Sequence, residues 1–205
     1  SDISIPSGEV VNEASSIAAA KALGFPLVIK MVNANLPHKT EAGAVKLGIA
    51  NIPDLENAIL EIRKSVSAYD REAVTDIFLI EKMAAPPLAE MIIGLRQDKQ
   101  FGWTLTIGSG GILVEVLEDT KTLLLPTDAI QIEKALRSLN IYKLLDGFRG
   151  QPKADLKIIS SKIESICLFV QDERNLIKEL EINPLFVYEE GVLTVDVLMA
   201  ILDEK

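Results

Sequence analysis

Apolar and polar positions change period several times along the chain, and each change marks an element. From Asn12 to Leu23, apolar and small residues recur at Ile17, Ala18, Ala20 and Leu23, and Gly24 follows; this predicts a helix with a C-terminal glycine. After Pro26, the run Leu27-Val28-Ile29-Lys30-Met31-Val32 predicts a short buried strand. Val45, Leu47 and Ile49 alternate with Lys46 and Gly48, giving a second strand. Between Asp54 and Val66, one side carries Leu55, Ala58, Ile59, Ile62 and Val66, the stripe of an amphipathic helix. A third strand is predicted over 77–80.

Ala84-Ala85-Pro86-Pro87 interrupts the pattern and is the best internal boundary, dividing the chain into lobes 1–83 and 84–205. Beyond it the alternation predicts strands over 89–97, 104–107, 112–117 and 122–125. Helices follow over 130–139 and 155–170, the latter with Leu156, Ile159, Ile163, Ile166 and Val170 on one side. Three strands, 176–182, 185–188 and 192–199, complete the pattern. Helices and strands mix without regular alternation, which predicts α+β lobes rather than one doubly wound parallel sheet.

Several polar residues break these patterns. A turn at Glu190-Gly191 pairs Glu189 with Val192, which sets Leu185 opposite Asp196 and Asn183 diagonal to Asp196. One face of this hairpin is then apolar: Leu180, Ile182, Phe186, Tyr188, Leu193, Val195, Val197 and Met199. The other carries Glu181, Asn183, Thr194 and Asp196, either a solvated face or oxygen ligands for a cation of Mg²⁺ size. Lys30 interrupts an apolar strand; it either snorkels to the surface or holds a phosphate. His38 lies in a polar loop beside Lys39 and near Gly43, a context that fits phosphate handling as well as simple exposure. Glu90, Arg96 and Asp98 share a strand face that either lines a cleft or meets water. Gly108-Ser109-Gly110-Gly111 is followed by no helix, so it is a tight turn rather than a dinucleotide fingerprint or a P-loop.

Composition narrows the field. The 205 residues include 30 acidic and 21 basic side chains, a net charge of −9, which argues against nucleic acid as the main partner. Cys167 is the single cysteine; it closes no disulfide within the chain and is expected to be a buried small hydrophobe. No apolar run approaches a membrane span and no signal peptide is recognisable, so no membrane association is expected and the cytosol is the expected compartment. The chain begins at Ser1 without methionine, as a piece of a longer protein would.

Five segments together carry a resemblance: Gly24-Phe25-Pro26-Leu27-Val28-Ile29-Lys30; Pro37-His38-Lys39-Thr40-Glu41-Ala42-Gly43-Ala44-Val45; Gly108-Ser109-Gly110-Gly111; Leu144-Leu145-Asp146-Gly147-Phe148-Arg149-Gly150; and Glu179-Leu180-Glu181-Ile182-Asn183-Pro184-Leu185. In this order and spacing the chain resembles the ATP-grasp domain of the NDP-forming acyl-CoA synthetases, relatives of the succinyl-CoA synthetase β subunit, over about 24–199. The resemblance implies an α+β ATP-grasp fold whose two lobes hold ATP or ADP with Mg²⁺. It implies that Lys30 contacts the phosphates and that Glu81 and Met83 lie at the hinge receiving the adenine. The resemblance further implies that Lys39, Gly43 and Glu90 are nucleotide-binding positions and that Asn183 and Asp196 are the metal ligands, with Glu181 where the family has an acidic residue. His38 matches a histidine implicated as a phosphate relay.

The implied chemistry is acyl-CoA + ADP + Pi ⇌ acid + CoA + ATP, through an acyl phosphate and a phosphohistidine, with the CoA-binding and ligase domains supplied elsewhere in a longer chain or by a partner subunit. The chain departs from the family pattern at Asp98-Lys99-Gln100-Phe101-Gly102-Trp103, where the family has Asp-Pro-x-Phe-Gly-Pro, and at Gly43-Ala44, where many members have Gly-Gly. Lys121 is the only cation near Leu125-Pro126, where many members carry an arginine. A competing expectation is a ligand-sensing, ligase-like module of a protein lysine acetyltransferase; the retained Lys30, His38, Asn183 and Asp196 favour the ligase.

Overall fold

The computed structural model describes residues 3–36, 39–111, 118–174 and 176–202. It separates into two compact units, Pro6–Ala85, and Pro86–Lys205 together with Ser1–Ile5. The predicted strand over 112–117 and His38 lie outside the described residues.

In the first unit, strands β1 (Gly8–Asn12), β2 (Leu27–Met31), β3 (Val45–Ile49) and β4 (Ile77–Lys82) form an antiparallel sheet in the order β1-β4-β2-β3. Helix α1 (Glu13–Leu23) starts where Asn12 accepts the Ser15 N–H at 3.0 Å and stops at Gly24, whose φ of 74° suits glycine. Helix α2 (Ile52–Tyr69) is capped in the same way by Asn51, which accepts the Asp54 N–H at 2.9 Å. Its stripe of Leu55, Ile59, Ile62 and Val66 packs on Leu27, Ile29, Met31, Phe78 and Ile80 of the sheet, all buried. Strand β1 escapes the hydrophobic pattern because only Val11 of its five residues is buried; it is an edge strand added by backbone pairing to β4.

The second unit is a six-stranded antiparallel sheet, β10-β8-β5-β6-β7, with β9 also pairing β8. Its strands are β5 (Ala89–Asp98), β6 (Gly102–Ser109), β7 (Thr120–Leu124), β8 (Ile177–Tyr188), β9 (Gly191–Thr194) and β10 (Val197–Ile201). Helices α3 (Ala129–Arg137) and α5 (Leu156–Asp172) contribute Ile132, Leu136, Ile159, Ile163 and Val170 to a core shared with Met91, Ile93, Leu95, Leu105 and Ile107. A short helix α4 (Tyr142–Leu145), too brief to leave a periodic signature, connects them.

Cys167 is buried in this core, and burial pushes its thiol up to about 12. At pH 8 only about one thiol in ten thousand is then ionised, and the thiolate is the reactive form. An aromatic disulfide reagent is expected to label the native chain at least about 100-fold more slowly than the chain in urea. Equal labelling rates would place Cys167 at the surface.

The end of the chain corrects the predicted hairpin. Tyr188 pairs with Gly191 and Leu185 with Thr194, so the turn is Glu189-Glu190 and Gly191 begins β9. Relative to the predicted register each partner moves by two residues. Leu185 opposes Thr194 rather than Asp196, and Asn183, expected diagonal to Asp196, is joined to it directly through its N–H and the Asp196 carbonyl at 3.2 Å.

A second correction concerns the faces. Met91 pairs with Leu185 but Ile93 pairs with Ile182, so β8 carries one extra residue at Asn183-Pro184 opposite Ile92. This β-bulge reverses the alternation beyond it. Leu180 and Ile182 are buried before it, Leu185 and Val187 after it, while Phe186, Tyr188 and Leu193 are only half-buried. Thr194, predicted on the polar face, is buried. Val197 and Met199 are exposed because β10 lies at the sheet edge. The same bulge unites the predicted strands 176–182 and 185–188 into β8 and separates β9 from β10. Among the described residues, no helix is long and apolar enough to cross a membrane.

Candidate functional site

Lys30 is the polar residue of β2, and all five residues of that strand are buried. Val28 pairs with Glu81 and Lys30 with Leu79, so Lys30 and Glu81 share the sheet face opposite the Leu27, Ile29 and Met31 side chains. Lys30 Nζ lies 2.8 Å from Glu81 Oε2, and the two residues are 4% and 8% exposed. The ammonium therefore does not snorkel. Pairing offsets the desolvation that either charge alone would suffer in this position. Gly8 faces Glu81 across β1 and β4; a Cβ at that position would come within 2.7 Å of Glu81 Cγ, so glycine makes room for the pair.

Other predicted nucleotide positions of this unit have local structural work. The Met83 N–H donates to the Pro26 carbonyl at 3.1 Å, and its side chain is exposed. Lys39 and Gly43 belong to a tight loop in which the Ala44 N–H donates to the Lys39 carbonyl at 2.8 Å. Gly43 has φ 64°, and a Cβ there would lie 2.7 Å from Ser65 Cβ on α2. Only glycine satisfies both the backbone angle and the close approach.

In the second unit, Glu90, Gly110, Gly111, Asn183 and Asp196 come together. The Gly110 N–H donates to the Glu90 carbonyl at 2.7 Å, and the Gly111 N–H donates to Asn183 Oδ1 at 3.0 Å. Gly111 has φ 69°, and a Cβ there would overlap the Glu90 carboxylate. The bulge places Asn183 beside the Asp196 backbone. Glu181, two residues earlier, faces Gly94 and Leu198 and lines a depression of about 400 Å³ with Arg96, Asp98, Thr104, Thr106 and Glu179. The polar face read from the sequence thus divides between these two places.

Among the described residues, no three His, Cys, Asp or Glu side chains converge as a metal cage. The donors present fit Mg²⁺ nonetheless. That ion takes hard oxygen ligands, keeps several waters, and commonly uses one or two carboxylates plus substrate phosphates. Asn183 Oδ1 is turned to a fixed position by the Gly111 N–H and retains a second lone pair, and the Asp196 residue is adjacent.

Asp119 carries no signal in the sequence, where it is one acidic residue in an ordinary Glu118-Asp119-Thr120 stretch. In the structure it is 7% exposed and its carboxylate accepts from Ser109 Oγ at 2.7 Å and from the N–H groups of Asn140 and Ile141 at 2.7 and 2.9 Å. Burial opposes its ionisation, but these hydrogen bonds together outweigh that and hold the carboxyl below its ordinary range. Its stabilising effect is therefore present above the ordinary Asp value and lost as pH falls through the lowered one.

The chain matches the ATP-grasp domain family over residues 1–201. It is 34% identical over 198 residues to a trans-feruloyl-CoA synthase from an unknown prokaryotic organism, covering 96% of this chain and 28% of that protein. It is 33% identical over 179 residues to the ADP-forming acetate–CoA ligase II subunit beta of Pyrococcus furiosus, covering 86% of this chain and 75% of the subunit. Among solved structures, acetyl-coenzyme A synthetase 1 of Ca. Korarchaeum cryptofilum, in complex with coenzyme A, Ca-AMPCP and HgCl⁺, superposes with a TM-score of 0.89 at 29% identity over 98% of this chain and 87% of that one. A second structure of that synthetase, with coenzyme A and Mg-AMPPCP, has its phosphohistidine segment pointing towards the nucleotide-binding site; it matches with a TM-score of 0.79 at 27% identity over 98% of this chain and 86% of that one. The chain spans about a quarter of the larger relatives and most of the β subunit. With its α+β antiparallel sheets, it belongs to the ATP-grasp domain family, on the branch of the ADP-forming acyl-CoA synthetases.

Proposed function

We propose that this chain is the nucleotide-handling part of an ADP-forming acid–CoA ligase, binding ATP or ADP with Mg²⁺ and passing a phosphoryl group between the nucleotide and a phosphohistidine. The observation that carries the reading is the meeting of Asn183, Asp196 and the Gly110-Gly111 loop at the bulge of β8. Asn183 and Asp196 hold the cation, and Glu181 lies within two residues of the first. A cation bound there would neutralise phosphate charge while a phosphorus–oxygen bond of the nucleotide breaks and a phosphorus–nitrogen bond to the imidazole forms. Lys30, paired with Glu81, contacts the phosphates, and Glu81, Met83, Lys39, Gly43 and Glu90 are the further nucleotide positions. His38 is assigned as the phosphate relay by the family resemblance of its segment.

The work of the chain itself is positioning and charge. An ammonium fixed by a buried carboxylate presents its charge without rotamer search. Phosphate transferred from ATP to an imidazole nitrogen leaves ADP; the reverse step returns it. CoA and the acyl group are assigned to companion CoA-binding and ligase domains, for which the length of a synthase spanned only to 28% by this chain, and the name of a relative as a subunit beta, leave room. Calorimetric titration with ATP and ADP, with and without Mg²⁺, tests the reading. Binding strengthened by Mg²⁺ is the expected result, and a chain indifferent to Mg²⁺ would overturn it.

A further inference from the structure

The segment 108–111, the end of β6 and the two glycines after it, is fixed more firmly than strand pairing alone requires. Asp119 holds Ser109 twice: its backbone carbonyl accepts the Ser109 N–H at 3.0 Å and its carboxylate accepts the Ser109 hydroxyl at 2.7 Å. The next residue, Gly110, donates to the Glu90 carbonyl at 2.7 Å, and the one after, Gly111, donates to Asn183 Oδ1 at 3.0 Å. Three consecutive residues are thus tied to the segment before β7, to β5 and to β8. The loop has no freedom to adjust by side-chain growth. A Cβ at Gly108 would overlap the Asp119 carbonyl, one at Gly110 the Met91 backbone, and one at Gly111 the Glu90 carboxylate.

An asparagine amide has one end that ligates a cation and one that repels it, and rotation by half a turn exchanges them. The Gly111 N–H needs an acceptor, so it selects the rotamer in which Oδ1 faces the loop. We propose that Asp119 is a positioning residue for the cation site: through Ser109 it fixes Gly110 and Gly111, and thereby the orientation of the Asn183 amide. Its other two partners, the Asn140 and Ile141 N–H groups, anchor the same carboxylate to the turn before α4. The Ser109 hydroxyl is the link that separates the two duties. This inference rests on the Mg²⁺–nucleotide reading above.

The test is Ser109→Ala, with Asp119→Asn as the companion variant, in the full chain. Ser109→Ala removes the carboxylate's tie to this segment, keeps the bond from the residue 109 N–H to the Asp119 carbonyl, and leaves the carboxylate its two backbone donors. The readouts are thermal midpoint, ATP affinity with EDTA, ATP affinity with Mg²⁺, and hydrogen exchange of the Gly111 amide in the absence of metal and nucleotide. Ser109→Ala is expected to keep the ATP affinity seen with EDTA, to reduce the strengthening by Mg²⁺ about tenfold, the low end of what loss of a direct partner of a metal ligand costs because Ser109 acts on Asn183 through Gly111, and to accelerate Gly111 exchange. Asp119→Asn should show the same losses and a lower midpoint. If Ser109→Ala lowers only the thermal midpoint while Mg²⁺ response and Gly111 exchange stay at wild-type values, Asp119 is a structural cap and the inference is overturned. A wild-type chain that shows no Mg²⁺ response removes the underlying site reading and this inference with it, an outcome visible before any variant is compared.

Discussion

The Asn183→Ala, Asp196→Ala double variant is expected to lose the Mg²⁺-dependent part of ATP binding, by more than about 100-fold. Removing a residue that hydrogen-bonds a metal ligand typically costs about 10–100-fold, and these two residues are assigned as the ligands themselves. Mg²⁺ supplied with few protein ligands also leaves little redundancy, since waters take the remaining positions. Asn183 has a structural duty too. Its Oδ1 accepts the Gly111 N–H, and alanine leaves that donor without a partner, at about 1–3 kcal/mol. Asn183→Asp separates the two effects, because a carboxylate still accepts the N–H and still ligates a cation. It should retain the fold and most of the Mg²⁺ response. Calorimetry with and without Mg²⁺, alongside urea denaturation, reads both quantities. Undiminished Mg²⁺ dependence in the double variant would remove both residues from the metal site.

The second large effect is expected at Lys30. Methionine there leaves Glu81 buried and without its 2.8 Å partner, which typically costs about 3–5 kcal/mol. Lys30→Met combined with Glu81→Leu removes both charges, and such replacements by apolar residues of similar volume are often neutral or stabilising. Stability should therefore fall in the single variant and return in the double. ATP affinity should not return, because the phosphate contact assigned to the ammonium is absent from both. This divergence distinguishes a functional Lys30–Glu81 pair from a purely structural one. A double variant with wild-type ATP affinity would leave the Lys30–Glu81 pair a feature of the fold alone.

Legibility in the sequence varied with the kind of signal. Strand β2, buried on both faces, is legible as a continuous apolar run. Helices α2, α3 and α5 and strands β5 and β6 announce themselves by periodicity, because each buries one face and the apolar residues must recur at the period of the element. Strand β1 does not, since backbone pairing rather than side-chain burial holds it to β4. The bulge at Asn183-Pro184 is invisible to a rule that assumes unbroken alternation, and it misplaced Phe186, Tyr188, Leu193 and Thr194. The oddity of Lys30 was legible as a charge in an apolar strand; its partner was not. Glu81 lies 51 positions on, and only the pairing of β2 with β4 brings the two together.

By itself, then, the sequence determined the α+β class, the boundaries of most elements and the residue types fit for phosphate and Mg²⁺, because burial period and donor chemistry are local properties. The motif order carried the family resemblance for the same reason. Tertiary structure alone decided that Lys30 meets Glu81, Asn183 meets Gly111 and Asp119 meets Ser109, and it turned the expected diagonal of Asn183 and Asp196 into a direct backbone bond. Strand register and bulges fix those meetings, and register depends on the fit of whole strands against each other, which no local window contains.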